Sequence, residues 1–483
     1  MSLDAKQPSL PGEARVMIGL ETHVQLNPKS KLLCPCRNPA TLGEEPEPNT
    51  LTCPACLGLP GSKPRLNEKA VEQALAIALA LGCTIPRTML FSRKTYFYPD
   101  MPKNFQITQY EFPLGERGGL SVEGRPIRIR RIHLEEDPAR LVHKGGLGGE
   151  TLADYNRAGV PLVEIVTEPD FASPKEARLY LQKLALILEY LGAYHPASRA
   201  IIKSDANVSL SRSGSPGSRV EVKNITGTKE IEQALSYEMV RQSSLLRKGQ
   251  TVARETRTWN PDLGITQELR SKEEEEEYGY IFEPDLTPIQ LPRALLKRIR
   301  KSLPELPDAR YRRLISRYKL PPKVAESLVS EADLASLFER LSKTLDPRLA
   351  GSWLAGYLKK TLNYHQLTFR ESGIRDEWLS WLLDLFRQGK ITDRNAELTI
   401  RKMVEERVSP KEIVKKYNYL VRRFDIDLIL RKLLKEHPQA VQDYQAGQAK
   451  ALHFLVGQAM KETAGAVDAN ALRQKLLKLL KGA

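Results

Sequence analysis

Residues 129–137 read IRRIHLEED and residues 156–170 read NRAGVPLVEIVTEPD, so that acidic side chains lie inside two runs that otherwise resemble buried strands. Because alternate residues of a strand face the same way, we expect Glu164 and Glu168 to share a face with Val166. A carboxylate among apolar neighbours needs a partner or a metal ion to neutralise it. Two such strands side by side predict a site for a hard cation, whereas ion pairs with the neighbouring arginines would explain the same pattern without a metal.

Length and charge limit the class of protein. The 483 residues are enough for about three domains. The 74 Lys and Arg against 59 Asp and Glu give a net charge of +15, which favours a polyanionic partner, nucleic acid above all. The sequence has no long apolar run, and its start lacks the apolar segment of a signal peptide. We therefore expect a cytoplasmic protein that does not enter a membrane.

A first strand is predicted at RVMIGLETHVQL, residues 15–26. Its alternation places Ile18 and Leu20 on one face and Glu21 and His23 on the other. A Glu and a His that share a strand face are candidate ligands, although exposed strand residues alternate in the same way.

Four of the five cysteines cluster as CPC and CPAC: Cys34, Cys36, Cys53 and Cys56. Two cysteine pairs separated by a loop are typical of a structural zinc site, in which four thiolates hold one tetrahedral ion. A redox pair or free thiols are the alternatives. Cys83, near the end of an apolar helix, is expected in the core.

Capping residues mark two helices in the first half of the chain. Asn67 precedes a helix predicted to stop at Gly82, and Ser173 with Glu176 forms a capping box for a helix that stops at Gly192.

Strands predominate in the rest of this half. KSDANVSL and SRVEVKNI predict two strands of an antiparallel sheet, with Asp205 and Asn207 on a common face. The glycine-rich segment 144–150 lacks the ending of a P-loop, so we interpret it as a flexible connection, and the acidic run 273–277 as a solvated segment.

From about residue 295 the chain is rich in Leu, Lys, Arg and Glu at helical periodicity. We predict an α+β protein: an antiparallel cradle domain at 1–294, an all-helical domain at 295–408 and a small helical tail at 409–483. The dense positive charge of the tail fits docking on RNA, and an ordinary amphipathic bundle is the alternative.

Taken together, these motifs resemble the GatB family, the B subunits of the tRNA-dependent amidotransferase that converts Asp-tRNA(Asn) or Glu-tRNA(Gln) to the amide. The resemblance covers nearly the whole chain. Its matching stretches are IGLETHVQL, CLGLPGSKPRLN, RKTYFYPDMPKNFQITQYEFPL, RIHLEED, NRAGVPLVEIVTEPD, SDANVSL, VEVKN and VQDYQAGQAKALHFLVGQAMK.

The resemblance implies a reaction. ATP phosphorylates the side-chain carboxylate of the misacylated amino acid, and ammonia displaces the phosphate. The ammonia comes from glutamine through a partner, an amidase-type glutaminase, and a small third protein completes the heterotrimer. Mg²⁺ would neutralise the phosphate oxygens, and the tail would recognise the tRNA.

The resemblance also implies roles for single residues. It makes His23, Glu136 and Glu164 ligands of Mg²⁺, and places Glu21 and Asp205 near a second cation or the phosphates. Alternation alone does not choose between Glu136 and its neighbour Glu135.

Two lysines match positions between the phosphorylation site and the path of ammonia. Lys94 and Lys103 would stabilise phosphate or gate ammonia.

Several positions depart from the family pattern. Lys203 and Ser204 replace Arg and Cys, Phe105 replaces Tyr, and Gly279 and Ile281 replace larger residues. These changes affect local contacts. A non-catalytic, zinc-containing tRNA-binding scaffold is the rival interpretation, and the retained histidine and acids argue against it.

Overall fold

The computed structural model describes residues 15–144, 149–195, 198, 200–211, 217–271, 279–421, 426–463, 467 and 469–481. The predictions for the centre of the glycine-rich segment and for the acidic run lie outside these ranges. Two compact units form, Met1–Leu306 and Pro307–Ala483. Among the described residues, no helix combines the length and apolar character that crossing a membrane requires.

The first unit contains the strands. Their bounds are β1 Arg15–Gln25, β2 Thr88–Met89, β3 Ser92–Thr95, β4 Phe105–Thr108, β5 Gly115–Val122, β6 Arg125–Glu136, β7 Arg140–Lys144, β8 Glu150–Asp154, β9 Pro161–Thr167, β10 Ile202–Ser211, β11 Val220–Thr226, β12 Glu255–Asn260, β13 Ile265–Ser271, β14 Gly279–Phe282 and β15 Ile289–Gln290. Its helices are α1 Pro54–Leu57, α2 Glu68–Ala80, α3 Pro174–Tyr190, α4 Thr228–Arg247 and α5 Arg293–Ser302.

An eight-stranded sheet organises this unit, in the order β13-β12-β11-β10-β1-β9-β6-β5. Its neighbours are antiparallel, as predicted, except that β11 and β12 run parallel. A parallel pair needs a long crossover, and α4 supplies it. A smaller sheet has the order β14-β3-β4.

The two faces of the large sheet differ in character. Along β1, Ile18, Leu20 and Val24 are buried in the apolar core with helices α2, α3 and α4. The intervening Glu21 and His23 lie on the opposite, polar face, as the alternation predicted.

Both predicted helix caps are present. Asn67 accepts hydrogen bonds from the backbone of Lys69 and Ala70, and Ser173 accepts one from Glu176. The Glu176 carboxylate reaches back to the Ala172 nitrogen, one residue before the cap. Satisfying these free backbone groups fixes where each helix begins.

The second unit is helical. Its helices are α6 Pro307–Tyr318, α7 Pro322–Val329, α8 Ala332–Leu341, α9 Pro347–Ser352, α10 Lys359–Tyr364, α11 Asp376–Arg387, α12 Asp393–Glu406, α13 Pro410–Lys416, α14 Ile426–Glu436, α15 Pro438–Gln445, α16 Ala449–Glu462 and α17 Ala469–Lys481, with a π-helical turn at Trp353–Leu358.

Two separate cores hold these helices. One includes Leu314 and, from α13, Ile413 and Val414; the other begins at Leu430 and ends at Leu480. Together with the sheet unit this gives the α+β architecture expected from the sequence, while the division at residues 294 and 408 stays a prediction.

Candidate functional site

A cavity of about 560 Å³ lies on the polar face of the large sheet. Residues of β1, β6, β9, β10 and β11 line it, and residues of β3, β4 and β14 from the small sheet complete its wall. Of the seven predicted site residues other than the cysteines, five line it: His23, Glu164, Glu21, Asp205 and Lys94.

Three side chains from adjacent strands meet in this cavity, and we call them the His-Glu-Glu triad: His23, Glu135 and Glu164. One ligand atom of each lies within 4.8 Å of the others, and His23 Nε2 is 3.9 Å from Glu164 Oε2. Thr108 donates a hydrogen bond of 2.7 Å to Glu135 and fixes that carboxylate. Two carboxylates and an imidazole at this spacing can hold a divalent cation.

Glu135, and not the predicted Glu136, is the residue that the structure brings to the triad. Strand register decides this, because His133 pairs with Glu164 and Glu135 lies two residues further along the same face of β6. Glu136 points to the other side of the strand. There it accepts hydrogen bonds from Lys103 and from the Ile107 nitrogen.

Burial and neighbouring charges shift the pKa values of all three residues of the triad. Burial and the nearby Glu164 charge raise the pKa of Glu135. Burial opposes ionisation of Glu164 as well, but His133, His23 and Arg131 lower its pKa below the usual range. The Glu164 charge in turn raises the pKa of His23 against the effect of burial. A bound cation would allow both carboxylates to ionise.

The predicted surface ion pairs exist at the end of β9. Glu168 follows the strand and pairs with Arg130 at 2.8 Å, and Asp170 pairs with Arg128 at 2.7 Å. The alternative explanation of the acidic residues therefore holds for these two and not for Glu164, which faces the cavity.

A second group of acids lies beside the triad in the same cavity. Glu21 is directly opposite Asp205 in the sheet and accepts a hydrogen bond of 2.9 Å from Asn207. Glu221, which sequence reasoning missed, joins them, and Lys223 lies 3.9 Å from Asp205 and 3.7 Å from Glu221.

Electrostatics support this grouping. Burial raises the pKa of Glu21, and the charges of Glu164, Glu221 and Asp205 add to it. Glu221 sits in the matching stretch VEVKN, two residues before Lys223, so its alternation with Val220 and Val222 was the signal that could have found it.

The two predicted lysines are separated by the structure. Lys94 lines the cavity on β3, where it pairs in register with Tyr280 and Gln106. Lys103 is bonded instead to both oxygens of Glu136, at 2.5 and 2.6 Å, and both side chains are almost fully buried. Of these two lysines, Lys94 is therefore the one that faces the cavity.

Two further residues of the cavity were missed, Arg131 and His133. His133 Nδ1 lies 3.8 Å from Glu164 Oε2. Arg131 Nε and His133 Nε2 are buried without a hydrogen-bond partner among the residues that the structure describes. Buried polar atoms of this kind are normally satisfied, so a ligand in the cavity is their natural partner.

The four predicted cysteines form a single cluster. Their sulfur atoms all lie within 4.8 Å of one another, and Cys53 Sγ is 3.8 Å from Cys56 Sγ. A tetrahedral ion with Zn–S bonds of about 2.3 Å places its sulfurs about 3.8 Å apart, so the donor set fits zinc. Cys83 is buried in the core, as expected.

A buried lysine accompanies the cysteines. Lys31 is fully buried, with Nζ 3.7 Å from Cys56 Sγ and 3.2 Å from the Tyr155 carbonyl oxygen. The hydrogen bond from Cys34 and the Lys31 charge lower the pKa of Cys56 to about 4, although burial opposes the change. Because four thiolates around a divalent ion leave a net negative charge, Lys31 would compensate part of it if an ion is bound.

Two family profiles match the chain. The family profile described as GatB/GatE catalytic domain matches residues 16–297, which include the cavity and the cysteines, and the profile described as GatB domain matches residues 336–480. The chain belongs to the GatB family.

Relatives in this family match over nearly their full length. The B subunit of the aspartyl/glutamyl-tRNA(Asn/Gln) amidotransferase of Methanospirillum hungatei is 44% identical, covering 97% of this chain and 99% of the relative. The equivalent protein of Methanococcoides burtonii is 43% identical, covering 96% and 98%. That of Haloquadratum walsbyi is 42% identical, covering 94% of each.

Proposed function

We propose that this chain is the catalytic member of a cytoplasmic heterotrimer that amidates Asp-tRNA(Asn), Glu-tRNA(Gln) or both. The His-Glu-Glu triad inside a polar cavity is the observation that carries the proposal, and membership of the GatB family supports it. We assign glutamine hydrolysis to a partner, an amidase-type glutaminase, with a small third protein completing the complex.

The triad would hold Mg²⁺ on the phosphates of ATP. The ion would neutralise the phosphate oxygens as the γ-phosphoryl group moves to the substrate carboxylate. The hydrogen bond from Thr108 keeps Glu135 in place for this role, and His133 lies 3.8 Å from Glu164. Lys94 and Arg131, both on the cavity wall, are suited to bind phosphate oxygens directly.

Phosphorylation is needed because a carboxylate is a poor acyl donor at neutral pH. Once a carboxylate oxygen has taken the γ-phosphoryl group and ADP has left, ammonia attacks the acyl carbon. The C–O bond to phosphate then breaks, and the nitrogen loses a proton to give the amide. Glu21, Asp205 and Glu221 form the acidic end of the cavity, where a second cation or the phosphates would be held. Lys103, bonded to Glu136 away from the triad, keeps the second predicted role, on the path of ammonia.

The cysteine cluster and the C-terminal helices have separate tasks in this proposal. Zinc at the four cysteines would brace the loop before α2. Helices α14 to α17 form their own core and carry nine Lys and Arg against four Asp and Glu, a net positive charge that would bind the tRNA body.

Acyl-phosphate formation tests the function. The reconstituted complex would be given labelled ATP and each misacylated tRNA separately, without glutamine. Labelled acyl phosphate that depends on both ATP and the misacylated tRNA supports the proposal. Its absence, in a complex that binds tRNA and hydrolyses glutamine, would instead favour the non-catalytic scaffold.

A further inference from the structure

The small sheet brings aromatic rings to the edge of the cavity. Tyr280 on β14 pairs in register with Lys94 on β3, and both side chains line the cavity. Tyr110, two residues after β4, lines it as well. The rings of Tyr110 and Tyr280 are stacked, with centroids 4.0 Å apart and planes 16° from parallel.

Tyr110 keeps exposed surface within this stack: the residue is 40% exposed although Tyr280 stacks on its ring. A second ring pair, Phe112 and Phe282, lies 6.4 Å apart and is 43% and 55% exposed. We call these four residues the aromatic track: its inner members Tyr110 and Tyr280 line the cavity, and its outer members Phe112 and Phe282 are exposed.

Core packing does not explain the aromatic track, because its outer members are exposed. Contiguous exposed apolar surface normally marks a binding site. The inner members share the cavity with the His-Glu-Glu triad. Burial raises the pKa of Tyr280, and the charges of Tyr110, Glu164 and Glu135 add to this, so its hydroxyl lies in the field of the triad.

We propose that the aromatic track binds the single-stranded 3′ end of the aminoacyl-tRNA, with the terminal base stacked on Tyr110. This inference rests on the proposed function. The substrate carboxylate belongs to an amino acid esterified to the terminal ribose, so a carboxylate at the triad places the terminal nucleotide within one amino-acid length of it. Single-stranded RNA is held chiefly by stacking of its bases on aromatic side chains.

The observations favour RNA over a protein partner. A protein interface does not require rings that continue into the reaction cavity, whereas an acylated 3′ end must enter there. The adenine of ATP is the other base in the reaction, and the test separates it from the tRNA.

Fluorescence of a modified base reports the stack directly. The full complex would be titrated with tRNA that carries 2-aminopurine as its terminal base, since stacking on an aromatic ring quenches this fluorophore. We expect strong quenching by the parent and by Tyr110→Phe, and little by Tyr110→Ala. The KM for the misacylated tRNA should rise roughly tenfold in Tyr110→Ala, as expected for one lost base stack, while the KM for ATP stays unchanged.

Controls keep the test decisive. Tyr364→Ala removes an exposed tyrosine of the helical unit and should leave the quenching as it is. If Tyr110→Ala lowers the yield of folded complex, Phe282→Ala with a fluorescent cytosine at the penultimate position tests the outer ring in the same way.

Several outcomes would overturn the proposal. These are undiminished quenching in Tyr110→Ala, loss of quenching in Tyr110→Phe, a raised KM for ATP alone, or release of the glutaminase partner from the complex. Quenching needs no phosphoryl transfer. A complex that quenches normally but forms no acyl phosphate would contradict the proposed function and leave the stacking site standing.

Discussion

Lys103 donates to both carboxylate oxygens of Glu136 on one side of β6, while the adjacent Glu135 faces the cavity on the other. The side chains of Lys103 and Glu136 are only 9% and 3% exposed. Neighbouring glutamates of one motif thus lie in two different environments. Substitution of Glu135 should therefore affect phosphoryl transfer, whereas substitution of Glu136 should affect the ion pair with Lys103.

The triad predicts a sharp contrast between Glu135 and Glu136. Glu135→Gln and Glu164→Gln should each reduce acyl-phosphate formation by at least about a hundredfold, because a neutral amide binds Mg²⁺ far more weakly than a carboxylate. Glu136→Gln should retain phosphoryl transfer, since it does not face the cavity. Labelled ATP and misacylated tRNA provide the assay, with glutamine hydrolysis by the partner measured in the same samples. Equal loss in Glu135→Gln and Glu136→Gln would contradict this assignment.

The buried Lys103–Glu136 pair can be tested by a double-mutant cycle that measures the free energy of unfolding. Lys103→Met should destabilise the chain by about 3–5 kcal/mol, because it leaves a buried carboxylate without its cation. The double variant Lys103→Met with Glu136→Gln should recover most of this loss, since the Ile107 nitrogen still finds an acceptor in the glutamine side chain. Denaturant unfolding measures the free energies. If the losses in unfolding free energy of the two single variants simply add in the double variant, Lys103 and Glu136 do not stabilise each other.

The cysteine cluster predicts bound zinc. Purified, unchelated protein should contain about one equivalent of zinc by elemental analysis, and Cys53→Ser with Cys56→Ser should lose it together with stability. Cys83→Ala is the matched control, because Cys83 lies in the core and is not part of the cluster. Less than half an equivalent in the parent, or unchanged metal in the double variant, would refute the site.

Lys31 predicts a second effect on the same cluster. Lys31→Met removes the buried ammonium beside Cys56 and should weaken zinc binding by roughly 10–100-fold, the usual effect of losing a supporting contact. Competition with a chromogenic chelator measures the affinity. Lys29→Met, two residues earlier, is the control on the same segment. Equal zinc affinity in the Lys31 and Lys29 variants would argue against charge compensation.

Because the C-terminal helices have their own core, we expect that they can be removed without unfolding the preceding helices. Removal of everything after Val421 should weaken tRNA binding and reduce its salt dependence, because α14 to α17 carry many cations and pack in their own core. The cut lies beyond α13, since Ile413 and Val414 belong to the preceding core. Binding would be followed at several salt concentrations. An unchanged affinity and salt slope would mean that tRNA is held elsewhere.

The sequence by itself determined much of the protein. Alternation placed Glu21 and His23 opposite Ile18 and Leu20, because a strand beside an apolar core tolerates only one polar face. Cap residues fixed the start of two helices through local hydrogen bonds. The cysteine spacing indicated the cluster of four thiols, since residues close in sequence need little help from the rest of the fold to meet.

Tertiary structure decided what depends on partners distant in sequence. Glu135 and Glu136 are equivalent to any local pattern, and only the register of β6 on β9 assigns them to different sides. The same holds for Lys94 and Lys103, which share a motif but face different environments. The Tyr110–Tyr280 stack joins residues 170 positions apart, and nothing near either tyrosine indicates its partner. Contacts of this kind arise from sheet pairing between distant segments, which local physical chemistry does not specify.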